Sequence, residues 1–413
     1  MIQLRNSIIC IVWIFIAVGD TWAQYPQYAV GEHPYDFVRY DLNRIYSPGD
    51  STRLLGFFRK MDQLLFKGLG NINVVHLGGS HVQADIHSGR FRDKLVHMLP
   101  GLGGPRGFVF PFKMARTNSP SNYSVTYTGT WTACRSVQAA YCELGLSGVS
   151  VSTKDTLTEV SIDPNNRVEG WYDFNTIRIF HKIDSNSFSI ESVSDLPYEI
   201  VENPELGYTE IRLSGYENIA RFRIRKTKPN QNFFTLYGVQ FVNNDPGFSY
   251  HSIGVNGAAV PNYLKCSLFT PHLKAIKPDL VILAIGVNDA HGSSFNKEQF
   301  KQNYRKLLQM IEEASPGCAV LFITNNDTYF RKRYINYNGG TVREAMFELG
   351  KENGMAVYDL FSIMGGYGSM ATWQANGLAA SDRIHFTGAG YKLVGDLMFE
   401  SIISRYTSYL KQQ

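Results

Sequence analysis

Residues 73–81 read NVVHLGGSH, and residues 280–289 read LVILAIGVND. Each stretch is a short, largely apolar run that ends in glycine and continues with polar residues. Runs of this kind are typical of parallel strands that are buried on both faces. Open α/β sheets place their sites at the carboxyl ends of such strands. The two stretches therefore predict a parallel sheet with polar side chains, Ser80 and Asn288 among them, at one edge.

Strands and helices alternate along much of the remaining chain. Apolar runs predict further strands at 250–253, 319–324 and 355–360. Helical patterns lie near 83–98, 261–276, 297–314, 341–353 and 388–410. Because strands that alternate with helices form parallel sheets covered on both faces, these parts of the chain are predicted to form an α/β domain.

The stretch from about Tyr127 to Asn244 breaks this alternation. Short alternating runs recur at 157–162, 176–180, 188–193, 208–213, 221–224 and 233–241, and turn-like pieces such as Asp163-Pro164-Asn165-Asn166 separate them. Several short strands at regular spacing indicate a β-sandwich. The sequence thus predicts an all-β module inserted into the α/β domain. A β-rich excursion without a core of its own remains the alternative.

Composition places the chain among globular proteins. Of its 413 residues, 44% are apolar and 18% are charged, which excludes disordered, collagen-like and coiled-coil chains. The net charge of +4, from 40 basic and 36 acidic residues, is too small to imply a nucleic-acid partner.

The N-terminus is predicted to be a secretory signal peptide. Arg5 precedes the apolar run Ile8–Val18, and Thr21-Trp22-Ala23 ends a segment of 23 residues with small residues at the cleavage positions. The apolar run is short for a transmembrane helix, which needs about 20 residues. We therefore expect an exported protein, periplasmic or extracellular, without stable membrane insertion after cleavage. An uncleaved anchor is the alternative.

Four cysteines would remain after cleavage. Cys134 and Cys142 are close enough in sequence to close a hairpin, and whether they form a disulfide is left open. Cys318 opens an apolar strand and is expected to be a buried thiol. Because no Cys/His group has the spacing of a zinc site, we predict neither a metal nor an organic cofactor.

Four polar motifs follow the predicted strands or precede the last helix. They are Gly78-Gly79-Ser80-His81, Gly254-Val255-Asn256-Gly257, Gly286-Val287-Asn288-Asp289 and Asp382-Arg383-Ile384-His385. A serine hydroxyl is a weak nucleophile and needs an adjacent base, which His385 can supply, while Asp382 can orient its imidazole. The backbone N–H groups of Ser80 and Gly257 and the amide of Asn288 can stabilise an oxyanion.

These four motifs, in this order, resemble the blocks of the SGNH (GDSL-type) hydrolase family. The resemblance implies a three-layer α/β/α, flavodoxin-like fold. It also implies Ser80 as the nucleophile, Ser80, Gly257 and Asn288 as the oxyanion hole, and Asp382 and His385 as the rest of the triad. One departure is Gly79, where the family usually has aspartate, and its effect on the loop around Ser80 is left open.

A second resemblance is narrower. The runs GSHVQAD at 79–85, GRFR at 89–92 and GGPRG at 103–107 are similar to those of bacterial peptidoglycan O-acetylesterases. Those enzymes also carry an inserted β-sandwich that resembles a carbohydrate-binding module. After the signal peptide predicted at 1–23, the resemblance implies a hydrolase domain in two parts at 24–126 and 249–413, and a carbohydrate-binding-module-like insert at 127–248.

The sequence is therefore interpreted as an exported serine esterase that removes O-acetyl groups from a glycan, with peptidoglycan as the expected substrate. Three alternatives remain open: an acetyltransferase that uses the same site, an esterase for other acylated polysaccharides, and a non-catalytic glycan-binding protein.

Several further residues have two interpretations. We expect His81 to be a structural or substrate-facing neighbour rather than a second base, and Asp289 to be a structural turn residue rather than a catalyst. We expect Asn325, Asn326 and Asp327 to form an Asx-rich turn rather than to touch substrate. Core packing is favoured for Trp131, Trp171, Tyr172 and Tyr237 over a sugar platform, whereas Trp373, beside Gln374, is left open between the two. Arg331-Lys332-Arg333 is expected to be a solvated face, with contact to an anionic cell-wall polymer as the alternative.

Overall fold

The computed structural model describes residues 33–99, 102–165, 172–292 and 294–413, which belong to one compact unit. The predicted signal peptide at 1–23 and Trp171 lie outside the described residues. Within these ranges, no helix is both long enough and apolar enough to cross a bilayer.

The helices of the described residues are bounded as follows. They are α1 (Thr52–Lys67), α2 (Ser80–Gln83), α3 (His87–Val96), α4 (Val260–Leu264), α5 (Phe269–Ile276), α6 (Val287–Ala290), α7 (Lys297–Ala314), α8 (Asn338–Asn353), α9 (Leu360–Ile363), α10 (Ser369–Ala375) and α11 (Gly388–Leu410), together with a short 3-10 helix at Tyr40–Leu42.

The strands of the described residues form four sheets. They are β1 (Ile45–Tyr46), β2 (Asn71–Gly78), β3 (Gly107–Val109), β4 (Ser124–Tyr127), β5 (Thr132–Arg135), β6 (Val149–Thr153), β7 (Leu157–Asp163), β8 (Phe174–His181), β9 (Ser189–Ser192), β10 (Tyr198–Asn203), β11 (Tyr208–Glu217), β12 (Ala220–Arg225), β13 (Phe234–Val242), β14 (Gly247–Gly254), β15 (Leu280–Ala284), β16 (Ala319–Ile323), β17 (Tyr329–Phe330), β18 (Tyr334–Ile335) and β19 (Ala356–Tyr358).

The α/β part of the chain is built around a six-stranded sheet in the order β1-β19-β16-β15-β2-β14. All neighbours are parallel except the short edge strand β1, which pairs antiparallel with β19. Counted along the chain, the five parallel strands have the order 2-1-3-4-5, which is the flavodoxin-like order. Helices α1, α3 and α11 pack together, as do α4, α5, α7 and α8. The predicted three-layer α/β/α fold class is confirmed.

The strands between β2 and β14 form two antiparallel sheets. One has the order β10-β11-β8-β13-β6-β5, with β3 also paired to β13, and the other has the order β4-β7-β12-β9. Their inward side chains, such as Ile177, Val239, Val160 and Phe222, belong to one hydrophobic core. Substantial β structure is therefore present where the sequence predicted an insert. The boundaries at 127 and 248 stay a prediction.

Helix α5 packs directly against the antiparallel sheets. His272 on α5 is fully buried, and its ring lies 4.8 Å from that of Phe180 and 5.6 Å from that of Tyr237. Its Nδ1 accepts a hydrogen bond of 3.3 Å from the backbone N–H of Leu146. Arg178 donates to the carbonyl oxygen of Ala275, also on α5. The antiparallel sheets are therefore fixed on the α/β layers by apolar packing and by hydrogen bonds.

Two predicted helices have other bounds in the structure. The pattern at 83–98 forms only α3, which begins at His87, because Asp85 has the left-handed φ of +50° and separates α3 from α2. The pattern at 261–276 becomes α4 and α5. Pro271 lies in the first turn of α5, where its missing N–H is tolerated, and it would be costly inside a continuous helix.

The cysteines and aromatic residues have definite places. Cys134 and Cys142 form a disulfide, while Cys266 and Cys318 are buried thiols, as expected for Cys318. The side chains of Trp131, Tyr172, Tyr237 and Trp373 are all buried in the core. None of these four is available as an exposed sugar platform.

We predict that the fold loses stability as the pH falls from about 7.5 to about 5. Burial lowers the pKa of both His251 and His272 to about 3, whereas an unfolded histidine titrates near 6.5. Between these values the unfolded chain binds more protons, so each such group lowers the free energy of unfolding by about 1.4 kcal/mol per pH unit as the pH falls. The same direction holds for His76, His81, His87 and His181.

Two buried carboxyls act in the opposite direction. Burial raises the pKa of Asp289 and of Asp327 to about 6, so their protonation stabilises the fold below that pH, but they are fewer than the histidines. Denaturant titrations at both pH values measure the net effect. His272→Gln should make the pH dependence shallower, and His97→Gln, at an exposed position, should not. An unfolding free energy that does not change over this range would contradict the prediction.

Candidate active site

A cavity of about 520 Å³ opens at the carboxyl edge of the parallel sheet. All four motifs found in the sequence contribute to it, and its walls are formed by Ser80, Gln83, Ala84, Asn118, Ser119, Asn256, Gly257, Val287, Asn288, His291, Ile384, His385 and Tyr391. The structure thus brings together Ser80, Gly257, Asn288 and His385, and Asp382 lies directly behind His385.

The register of three neighbouring strands explains why these side chains lie close together. Gly78 at the end of β2 pairs with Gly254 at the end of β14 and with Ala284 at the end of β15. The chain therefore leaves all three strands at the same level. Ser80 follows two residues after β2, Gly257 three residues after β14 and Asn288 four residues after β15. This is the topological switch point of a flavodoxin-like sheet, where ligands bind.

Ser80, His385 and Asp382 form a hydrogen-bonded chain. Ser80 Oγ lies 2.8 Å from His385 Nε2, and His385 Nδ1 lies 2.7 Å from Asp382 Oδ2. With Nδ1 protonated and donating to the carboxylate, Nε2 is left to accept the serine proton. This is the geometry that activates a serine hydroxyl.

The Asp382 carboxylate is held by its own loop. Its Oδ1 accepts hydrogen bonds from the backbone N–H groups of Ile384 and His385, at 2.9 and 3.0 Å. Partial burial would raise the pKa of this carboxyl, but the hydrogen bonds from His385 and Ile384 outweigh it and lower the pKa below its usual value. Asp382 therefore stays ionised and can stabilise an imidazolium on His385.

The three predicted oxyanion donors line the same cavity as His385. Ser80 is the first residue of α2, where backbone N–H groups have no partner within the helix. Gly257 occupies a turn closed by Ala258 N–H and Val255 C=O, and its φ of +81° favours glycine there. Asn288 Nδ2 donates to the carbonyl oxygen of Ala258 at 3.0 Å, which leaves its second amide hydrogen for a ligand.

Gly79 lies against the amide of Asn288. A Cβ atom added at Gly79 would be 3.1 Å from Asn288 Nδ2 and 3.6 Å from the carbonyl oxygen of Ala258. A side chain at this position would thus contact the amide that the family places in its oxyanion hole. With glycine here, Asn288 is held instead by its bond to Ala258.

Gln83 was not assigned a role from the sequence, yet it connects three walls of the cavity. It is 3% exposed, its Nε2 donates to Asn118 C=O at 2.6 Å, and its Oε1 accepts from Asn256 N–H at 2.6 Å. One side chain on the serine helix α2 therefore holds both the turn that carries Gly257 and the loop at 118–119. Only the pairing of distant loops reveals this, so a single sequence offers no signal for it.

A buried ion cluster supports the loop at 118–122 from behind. The Asp85 carboxylate contacts the guanidinium groups of Arg92 and Arg106 at 3.1 and 2.5 Å, and Asn122 Nδ2 donates to it at 2.9 Å. Burial would raise the pKa of Asp85, but the two guanidinium groups outweigh it and hold the pKa well below its usual range. This cluster was also missed, although its residues lie in the runs quoted from the sequence.

His81 lies next to His385 and contacts Tyr391, which lines the cavity. His81 Nδ1 is 2.9 Å from the Tyr391 hydroxyl, and the His81 ring centre is 5.0 Å from that of His385. Burial, followed by the nearby His385, lowers the pKa of His81 well below its usual value. His81 contacts neither Ser80 Oγ nor Asp382 through a hydrogen bond in the described residues, so its role as a structural neighbour stays a prediction.

The remaining candidates lie outside the cavity. Asp289 accepts from Val260 N–H, while Asn325, Asn326 and Asp327 are buried. Asn326 Nδ2 donates to Ile384 C=O at 2.9 Å and so holds the loop between Asp382 and His385. Trp373 Nε1 donates to Met364 C=O, and Gln374 Oε1 accepts from Arg383 Nε. Among the described residues, no three His, Cys, Asp or Glu side chains are grouped as metal ligands.

Comparisons with known proteins agree with this architecture. Residues 227–393 match the model of the GDSL-like lipase/acylhydrolase family. A solved structure described as a peptidoglycan O-acetylesterase in action aligns with 88% of this chain and 99% of its own, with a TM-score of 0.69 and 17% identity. At that identity the likeness shows the fold. Because 88% of the chain aligns, the shared fold includes antiparallel strands as well as the parallel sheet.

Other solved structures align only in part. A lipase/acylhydrolase from Enterococcus faecalis covers 38% of this chain and 77% of its own at 21% identity and a TM-score of 0.32. An acetyl xylan esterase, AlAXEase, covers 37% and 81% at 21% identity and a TM-score of 0.30. Similarity at these TM-scores supports no conclusion about this chain. No curated protein matches the chain significantly. The family match and the first structure confirm the predicted resemblance to SGNH hydrolases.

We predict that Gln83→Leu lowers kcat for a small ester by about ten- to a hundredfold. The substitution frees the Asn256–Gly257 turn, and losing an oxyanion donor outright costs about 10²–10³ in rate. Steady-state kinetics with p-nitrophenyl acetate measure the change in kcat.

Gln231→Leu is the matched control. Gln231 is also buried and accepts from the backbone N–H groups of Thr227 and Lys228, at 2.7 and 3.1 Å, but it does not line the cavity. Both variants should lose stability, and only Gln83→Leu should lose kcat. Equal kinetics in the two variants would show that Gln83 has no positioning role.

Proposed function

We propose that this chain is an exported serine esterase that removes O-acetyl groups from peptidoglycan. The observation that carries the proposal is the chain of hydrogen bonds from Ser80 through His385 to Asp382, on a wall of the cavity that also holds Gly257 and Asn288. The match of residues 227–393 to an acylhydrolase family supports ester hydrolysis as the reaction.

The reaction follows from the positions of these groups. His385 Nε2 takes the proton of Ser80 as its Oγ attacks the acetyl carbonyl, and Asp382 stabilises the resulting imidazolium. The oxyanion accepts hydrogen bonds from Ser80 N–H, Gly257 N–H and the Asn288 amide. The imidazolium then protonates the leaving sugar oxygen. An acetyl group remains on Ser80, and water activated by His385 releases it as acetate.

The substrate class rests on shape and on similarity together. The structure with which 88% of this chain aligns is described as a peptidoglycan O-acetylesterase. A cavity of about 520 Å³ has room for an acetylated sugar beside the triad. Peptidoglycan lies outside the cytoplasmic membrane, so this substrate requires the export that the N-terminal sequence predicts. We further propose that the antiparallel sheets at 127–248 help to hold the glycan.

Ser80→Ala should abolish turnover of p-nitrophenyl acetate to within about 10³-fold of the uncatalysed rate, because the nucleophile is lost. Ser408→Ala, at an exposed position on α11, should behave as wild type. Turnover by Ser80→Ala at the wild-type rate would refute the assignment of the nucleophile.

Isolated O-acetylated peptidoglycan tests the substrate. Mass spectrometry before and after treatment should show the loss of acetyl groups together with an equivalent amount of free acetate. Acetylated oligosaccharides without free acetate would indicate a transferase instead. If p-nitrophenyl acetate is turned over while peptidoglycan keeps its acetyl groups, the esterase assignment stands and the substrate is another glycan.

A further inference from the structure

A short hairpin beside the cavity carries three adjacent cations. Strands β17 and β18 pair Phe330 with Tyr334, and the loop between them is Arg331-Lys332-Arg333. All three side chains are exposed, and none has an acidic partner within 4.0 Å in the described part of the chain. The hairpin therefore presents uncompensated positive charge to solvent.

The backbone of this loop favours other residues. Arg333 N–H donates to Phe330 C=O at 3.0 Å, which closes a turn with Arg331 and Lys332 at its centre. Their φ values are +47° and +63°. Turns with two positive φ angles favour asparagine and glycine, and cationic side chains are strained there. A strained backbone at a surface turn points to a function for the side chains that it presents.

The hairpin is joined to the loop that carries the triad. Tyr329 N–H donates to Arg383 C=O at 3.1 Å, and Arg383 Nη1 donates to Lys332 C=O at 3.2 Å. The Arg383 guanidinium also lies 5.0 Å from the centre of the Tyr329 ring. Because Arg383 stands between Asp382 and His385, the cations are held at a fixed place next to the site.

The other side of the hairpin reaches the cavity wall. The Phe330 ring lies 5.1 Å from the ring of His291, which lines the cavity. A ligand that extends out of the cavity past His291 would therefore contact the hairpin.

One exposed tyrosine lies on the hairpin, a second shortly after it, and a third against the second. Tyr334, Tyr337 and Tyr367 are 65%, 66% and 47% exposed. The rings of Tyr337 and Tyr367 lie 5.1 Å apart, and the Tyr367 hydroxyl donates to Tyr337 C=O at 3.1 Å. A tyrosine ring has an apolar face and a polar hydroxyl group. It therefore suits ligands that have both apolar and hydrated surfaces, such as sugars.

We propose that Arg331, Lys332 and Arg333, with Tyr334 and Tyr337, form a subsite for an anionic glycan that extends beyond the cavity. The cations bind carboxylates carried by the polymer, and the tyrosines pack on its sugar rings. This inference rests on the proposed function, because it concerns the same polymer that presents the acetyl group to Ser80. Binding at the hairpin holds the chain without taking part in bond breaking.

The test compares two triple variants of equal charge. R331Q/K332Q/R333Q removes the hairpin cations, and K67Q/K306Q/K411Q removes three exposed lysines that lie outside residues 127–248 and do not line the cavity. Substrates are p-nitrophenyl acetate, soluble O-acetylated peptidoglycan fragments, and the same fragments with their carboxylates converted to amides. We expect the hairpin variant to raise KM for the charged fragments about tenfold at low salt, with kcat and turnover of the small ester unchanged.

Amidation of the fragments should raise the wild-type KM to that of the hairpin variant and should have no further effect on that variant. The lysine variant should behave as wild type. A second variant, Y334S/Y337S, should raise KM for both forms of the fragments at any salt concentration.

Three results would overturn the subsite. They are equal changes in both triple variants, which would indicate net charge alone; an unchanged KM in the hairpin variant; and binding of anionic phospholipid vesicles, but not of the fragments, that depends on the hairpin cations. Failure of the proposed function has a different signature, since wild-type protein would then leave the acetyl groups of the fragments in place.

Discussion

The pairing of β2 with β14 on one side and β15 on the other is the constraint on which the site depends. Gly78 faces Gly254 and Ala284, so three parallel strands end level with one another. A slip of one residue would move Ser80 along the sheet edge relative to Gly257 and Asn288 and turn each strand's side chains to the opposite face. The buried, apolar strands make such a slip costly, and this protects the relative positions of the proposed nucleophile and the proposed oxyanion donors.

The second half of the site is added by loops that hold one another. Asp382 accepts hydrogen bonds from two backbone N–H groups of its own loop. The Asn326 side chain donates to the carbonyl oxygen of Ile384 in that loop, and the carbonyl oxygen of Arg383 accepts from Tyr329 N–H of the hairpin. In the same cavity, Gln83 is hydrogen-bonded to the turn at Asn256 and to the loop at 118–122, and the Asp85 cluster is hydrogen-bonded to that loop through Asn122. The proposed base and the proposed oxyanion donors are therefore both preorganised, and groups held in this way can stabilise charge without rearrangement during a reaction.

The sequence was sufficient for the five parallel strands of the sheet and for the polar residues at their ends, because buried parallel strands have continuous apolar runs. It did not predict the short antiparallel edge strand β1. It was insufficient where tertiary contacts decide. The strand Tyr198–Asn203 was missed because its residues are largely exposed and it is defined by pairing with β11. Gln83 and the Asp85–Arg92–Arg106 cluster connect loops that are distant in sequence, and the left-handed turn at Arg331 and Lys332 contradicts local preference.

The central claim is that an acetyl group passes through Ser80. Rapid acid quenching of the enzyme during turnover of an acetyl ester, followed by peptide mass mapping, measures this most directly. One added acetyl group is expected, confined to the peptide that contains Ser80. Steady turnover with no acetylated peptide, or with the acetyl group on another residue, would contradict it.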